Sequence, residues 1–150
     1  MSKILVTGGM GFIGTNLVRF LIEKKINVLV VDKVTYAANL SSHIDLVENE
    51  FYKFKNIDIC NENELKVAIK EYNPDKVMHL AAESHVDNSI NSPDTFIYSN
   101  IIGTYNLLKV SLEYFKELDN AKSKYFRFHH VSTDEVYGSL KENDEAFTEI

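Results

Sequence analysis

Two residue periods alternate along this chain, and that alternation restricts the fold more than any other feature. Short continuous apolar runs, "KILVT", "INVLVV", "DKVMHLA" and "YFRFHHVS", have the form of strands buried on both faces. Between them lie stretches of helical period. Ile13, Leu17, Leu21 and Val18, Ile22 recur at spacings of four and form one stripe facing a sheet. Asn61 followed by Glu64 resembles a capping box, and Leu65, Ala68, Ile69 and Tyr72 then give a second amphipathic helix. Ser92 and Pro93 suit the N-cap and first position of a third, long helix through "FIYSNIIGTYNLLKVSLEYF", with Gly103 marking a close packing contact. Strands alternating with helices build βαβ units, so the predicted class is α/β with a doubly wound parallel sheet.

Length and charge limit what such a sheet does. At 150 residues the chain is expected to form a single domain over 1–150, with one sizeable core. The final stretch, "GSLKENDEAFTEI", is polar and completes no element, so the domain is expected to be incomplete. A net charge of -6 argues against nucleic acid or an anionic membrane as partner. Cys60 is the only cysteine, which excludes an intrachain disulfide and suits a reducing compartment. With no apolar run of membrane-spanning length and no signal-peptide pattern, a cytoplasmic location is expected.

The glycines carry the first functional signal. In "TGGMGFIG", Gly8, Gly11 and Gly14 follow a strand and open a helix, the context in which a Rossmann-like fold binds a dinucleotide. The first glycine makes a tight turn, the second lets backbone approach a pyrophosphate, and the third allows close helix–strand packing. Free N–H groups at the helix start favour the phosphates. A glycine-rich turn without ligand is the alternative. A mononucleotide P-loop is disfavoured, because Thr15 follows Gly14 and the phosphate-binding lysine is absent. Asp32 ends the next strand about 20 residues on, where an acid accepts the ribose hydroxyl hydrogens and repels a 2′-phosphate, favouring NAD over NADP. Its plainer reading is a strand-end cap.

A second cluster lies where "FRFHHVS" runs out. Parallel sheets place ligand sites at the carboxyl ends of their strands, and Thr133, Asp134 and Glu135 stand at such an end. Adjacent carboxylates raise one another's pKa, which can supply an acid and a base together. A solvated turn is the competing reading. His129 and His130 point to opposite faces of a strand and cannot share a metal; His79 and His85 suit packing or hydrogen bonding, so no metal is expected.

The GxxGxxG spacing, Asp32 and "HLAAESHVD" resemble the extended short-chain dehydrogenases that act on nucleotide sugars. "DKVTYAANL", "LAAESHVD" and "VSTDEVYG" together resemble the 4,6-dehydratase branch of that family, with dTDP-glucose the implied substrate. The resemblance covers all 150 residues but only the cofactor half of such enzymes. "STDE" is its sharpest element, since related epimerases, decarboxylases and GDP-mannose dehydratases usually lack an acid at the position of Asp134. It implies that Phe12 and Ile13 lie at the pyrophosphate, Asp32, Lys33 and Thr35 around the adenosine ribose, and Asp58 and Ile59 beside the adenine. Leu80, Ala81, Ala82 and Glu83 would run beneath the cofactor, with Ser99 nearby. Ser84 and Thr133 would touch the sugar. Ser99 replaces a common threonine, Ala38 a glycine, and Asn88 the arginine of "HVDRSI".

The implied reaction is NAD-mediated oxidation at C4, loss of water across C5 and C6, and hydride return to C6. Glu135 would take the C5 proton, Asp134 would protonate the departing 6-hydroxyl, and Thr133 would bond the C4 oxygen. The family's tyrosine base, four residues before a lysine, is expected downstream. Tyr72 with Lys76, Tyr105 with Lys109 and Tyr137 with Lys141 match that spacing but read as structural. An epimerase or decarboxylase of the same family, and a non-catalytic NAD-binding module, are the alternatives. By analogy with related enzymes, the helix at 93–118 would offer a homodimer face.

Overall fold

The computed structural model of the chain describes residues 2–148. Five parallel strands, β1 (Lys3–Thr7), β2 (Asn27–Asp32), β3 (Tyr52–Asn56), β4 (Lys76–His79) and β5 (Arg127–His130), lie in the order β3-β2-β1-β4-β5. After β1 the chain winds one way to β2 and β3, then crosses back to β4 and β5. The carboxyl ends of β1 and β4 therefore form the switch point where an open α/β sheet leaves a crevice.

Period-two alternation divides the sheet's apolar residues between two cores. Ile4, Val6, Val28 and Val30 face α1 (Phe12–Glu23) through Val18, Leu21 and Ile22. Leu5, Leu29, Val31 and Val77 face the other way, against Leu65 and Ile69 of α2 (Glu62–Tyr72) and Leu107, Val110 and Tyr114 of α5 (Thr104–Glu117). Each such side chain removed from water contributes about 1.5–3 kcal/mol, which fixes the register of all three helices.

The Asn61 side chain caps α2 by accepting the Glu64 N–H at 3.3 Å, and Asn73 ends that helix in the left-handed region at φ 55. Gly103 packs as expected: a Cβ there would lie 2.5 Å from Ile59 Cγ1.

Five details depart from the sequence reading. Ile13 is 66% exposed and belongs to the crevice rather than the sheet-facing stripe, which begins with Gly14 and Thr15. The strand "YKFKN" at the β3 edge carries exposed lysines, and a search for continuous apolar runs overlooks it. The last strand is likewise no buried run: Arg127, His129 and His130 of β5 are exposed. The long helix is not uniform. A short α3 (Val86–Asn91) precedes it, and α4 (Pro93–Phe96) passes through a π-helical stretch (Ile97–Gly103) before α5 begins. Ser92 stands before Pro93 as predicted but makes no capping bond through its side chain.

Candidate functional site

Aligned registers bring the loops to one level. Thr7 pairs with Val31 and with His79, and His79 with His130, so Gly8, Asp32, Leu80 and Val131 all emerge at the same edge. Backbone bonds extend the ladder by one step, from Gly8 N–H to Val31 O at 3.0 Å and from Leu80 N–H to Thr7 O at 3.1 Å. The result is a groove of about 560 Å³, within the range of cofactor-sized clefts.

The three glycines of the spacing serve different ends. Gly8 turns the chain at φ 70, and a Cβ there would meet Ala81 N at 2.5 Å. At Gly14 a Cβ would lie 2.1 Å from Gly8 O, so the third glycine packs the helix against the turn itself rather than against a strand. Gly11 is different. Its Cβ would meet only Gly8 O, at an ordinary 3.5 Å, so nothing inside the chain requires a glycine there. Gly11 also begins α1 without a side-chain cap, leaving the first-turn N–H groups free of side-chain partners at the groove.

Asp32 holds the turn from the side. Its carboxylate accepts the Met10 N–H at 3.0 Å and the Val34 N–H at 2.8 Å. Val34 has φ 54, a left-handed conformation that costs a β-branched residue about 1–3 kcal/mol and directs the next residues back over the groove. Behind the turn lies a buried chain of side chains with no signature in the sequence. Thr15 Oγ1 is 3.0 Å from His43 Nε2, and His43 Nδ1 is 3.0 Å from the Tyr52 hydroxyl. Arg19 fastens the His43 segment to α1 through Asp45 and the Ser42 carbonyl. Burial holds the His43 pKa below its ordinary value, so a neutral ring bridges the two hydroxyls.

The groove brings together most of the residues expected at a cofactor. Gly8, Gly11, Phe12, Ile13 and Gly14 line one part, Asp32, Lys33 and Thr35 a second, and Ile59, Leu80, Ala81, Ala82, Glu83 and Ser99 the floor and far wall. Ser84 lines it too. Asp58 does not; it stands beside the groove, 3.7 Å from Lys33 Nζ, and accepts the Cys60 N–H. Thr133, Asp134 and Glu135 also lie outside the wall, which on the β5 side ends at Val131. They are exposed, and Thr133 Oγ1 accepts the Glu135 N–H to cap a 3₁₀ turn (Asp134–Tyr137).

Residues that sequence reasoning does not select also line the groove, among them Tyr36, and His85, which the sequence reads as structural. The Tyr36 hydroxyl donates to Glu83 Oε2 at 3.0 Å and accepts from Asn88 Nδ2 at 2.8 Å. Reduced solvation raises its pKa, the Asn88 amide opposes this and Glu83 reinforces it, so Tyr36 keeps its proton at neutral pH. His79, by contrast, is structural. It links Thr7 at 2.7 Å to Thr104 at 2.9 Å, and burial, aided by His130, lowers its pKa to about 4.

Among the described residues no group of three or more His, Cys, Asp or Glu is arranged to hold a metal, and no helix is long and apolar enough to cross a membrane. The three tyrosine–lysine pairs are occupied otherwise. Tyr72 is buried in the core, Lys109 is paired with Glu62, and Tyr137 stacks on Phe147.

A doubly wound parallel sheet, with a glycine turn at its switch point and an acid ending the neighbouring strand, defines a Rossmann-like α/β protein. Relatives narrow the class. The chain belongs to the family described as GDP-mannose 4,6 dehydratase, which it matches over residues 5–149. It is 51% identical over 150 residues to the dTDP-glucose 4,6-dehydratase of Neisseria meningitidis serogroup B, covering 99% of this chain and 42% of that protein. Identity to the Haemophilus influenzae protein of that name is also 51%, over 99% of this chain and 44% of the relative. The chain thus spans about two fifths of the length of the curated relatives it matches. Among solved structures, the Bacillus anthracis dTDP-glucose 4,6-dehydratase in complex with NAD superposes with TM-score 0.80 at 31% identity, covering 99% of this chain and 43% of that one. The Thermus thermophilus UDP-glucose 4-epimerase with NAD gives 0.78 at 26% identity, over 97% and 42%.

Proposed function

We propose that the chain is the cofactor-binding part of an NAD-dependent dTDP-glucose 4,6-dehydratase, a hydro-lyase of deoxysugar biosynthesis. Gly11 carries the cofactor half of this reading. Gly8 and Gly14 are glycine because the chain's own backbone leaves no room, whereas Gly11 opens on the groove, where a Cβ would fill space a ligand needs. A pyrophosphate against Gly11 and the first turn of α1 accounts for that. Asp32, Lys33 and Thr35 would then hold the adenosine ribose, Asp58 and Ile59 the adenine, and Leu80 to Glu83 with Ser99 the remainder. NAD-bound relatives of similar fold support the choice of cofactor.

When bound, NAD supplies hydride transfer, from sugar C4 at the outset and to C6 at the end. The chain's own residues move the protons. Glu135 takes the proton from C5, which the C4 ketone has acidified, and Asp134 protonates the departing 6-hydroxyl, so water leaves across C5 and C6. Thr133 donates to the C4 oxygen, and Ser84 contacts the sugar. An epimerase reading gains support from the structural neighbours but leaves Asp134 without a task. The exposed row Ile101, Tyr105, Leu108 and Leu112 on the long helix supports a homodimer; the net charge of -6 supports a partner set without nucleic acid or anionic membrane, and the single cysteine supports a cytoplasmic location.

Calorimetric titration with NAD and NADP tests the reading. NAD is expected to bind more tightly, and Asp32→Ala to weaken it by about 1.5–3 kcal/mol, the scale of hydrogen bonds to a charged group. Equal binding of NADP would show that Asp32 does not read the ribose. With dTDP-glucose added, this chain is expected to form no product; a 4-keto-6-deoxy product would make one of its tyrosine–lysine pairs catalytic.

A further inference from the structure

We propose that Tyr36 is a positioning residue that fastens the loop after β2 to the loop after β4 across the groove, and so retains a bound dinucleotide. The inference rests on the proposed NAD site. Strands β2 and β4 flank β1 on opposite sides, so a bond between the loops beyond them bridges the groove across the carboxyl end of β1. A dinucleotide lying along the sheet's carboxyl edge, with one half on each side of β1, would have to lie beneath that bond.

Both ends of the fastening are fixed. On the β2 side, Val34 is held in its left-handed conformation by Asp32, which turns Tyr36 back toward β4. On the β4 side, Glu83 is clamped through its backbone: its N–H donates to Asn100 Oδ1 at 2.8 Å, and its carbonyl accepts from Asn100 Nδ2 at 2.9 Å. The clamp ties the catch to the π-helical stretch. Between these anchors the Tyr36 hydroxyl donates its one proton to Glu83, accepts from the Asn88 amide, and lies 3.3 Å from His85 Nδ1. The His85 ring meets Tyr36 edge-on, with centroids 5.4 Å apart.

Tyr36 is 62% exposed and belongs to neither core, so folding does not depend on it. The bond instead controls the path out of the groove. Asn88 matters for the same reason, since an amide donor to the phenol oxygen leaves the hydroxyl proton free to point at Glu83.

Stopped-flow release of etheno-NAD from the loaded chain into excess NAD tests this. Tyr36→Phe keeps the ring against His85 and removes only the hydroxyl; release is expected to quicken about tenfold, and about threefold in Asn88→Ala. In the Tyr36→Phe background, Asn88→Ala is expected to add nothing, because its partner is gone. Melting temperatures should stay unchanged in all three. Release from Tyr36→Phe at the wild-type rate, or equal acceleration by Asn88→Ala with and without the hydroxyl, overturns the fastening while leaving the cofactor reading intact. A wild-type chain that takes up no etheno-NAD overturns both.

Discussion

The two ends of the groove are built differently. Around β1 and β2 polar side chains are held by other parts of the chain: Asp32 by Met10, Thr15 by His43, His43 by Tyr52. Beyond β5 the side chains of Thr133 and Asp134 bond within their own turn, and Thr133, Asp134 and Glu135 are all exposed. An arrangement that must bind a long ligand in one pose needs the first kind of construction. Carboxylates that hand protons to a substrate need a dry, shaped surrounding that the described residues do not provide at this end. Among the described residues, the end around β1 and β2 is braced by other elements of the chain, and the end beyond β5 is not.

The sharpest way to break that contrast is to separate glycines that serve the fold from the one that serves a ligand. Gly14→Ala drives a Cβ into the Gly8 carbonyl and is expected to cost about 3 kcal/mol or more in urea unfolding. Gly11→Ala should leave stability within about 1 kcal/mol while weakening NAD about a hundredfold. If both lower stability alike, Gly11 has a structural role and the ligand argument fails.

Next in size is the buried histidine joining β1, β4 and α5. The pKa of His79 is lowered in the fold to about 4, so its stabilisation is complete above the unfolded value near 6.5 and drains away as pH falls toward 4. Unfolding free energy should drop by roughly 2 kcal/mol from this group between pH 7 and 5, a slope that His79→Gln removes. Parallel pH curves for the two proteins would show that His79 does not report on the centre of the sheet.

The smallest effect belongs to the exposed end. Glu135→Gln is expected to change stability by less than about 0.5 kcal/mol, since no other element among the described residues holds the side chain. A larger loss by chemical denaturation would mean that this end is braced after all, and the contrast would have to be redrawn.

Legibility in the sequence divides along the same line. The central strands, the glycine turn and Asp32 can be read because sterics and hydrogen-bonding demand leave few residues for those positions. β3 escapes a sequence reading because an edge strand tolerates Lys53 and Lys55 and shows no apolar run. Ile13 fits the helical period, yet the first turn of α1 projects past the sheet, where the period no longer implies burial. Tyr36 and the His43 chain are hidden for another reason. Their partners lie 47 and 28 residues away, and no local pattern encodes a pairing set by strand order. For His85, one signal is present: an imidazole just past the end of a central parallel strand is well placed to face the crevice.

A π turn takes up one residue more than an α turn, so between Ile97 and Gly103 the long helix carries a surplus residue. That surplus is lodged where the helix passes the groove: Ser99 lines it, and Gly103 lies flush on Ile59. A chain one residue shorter there could run as plain α-helix and still press Leu107, Val110 and Tyr114 onto the sheet. It would forfeit only the widened turn. The stretch therefore behaves as an insertion absorbed without rotating the helical turns beyond it, which lets the wall of the groove vary while the core stays in phase.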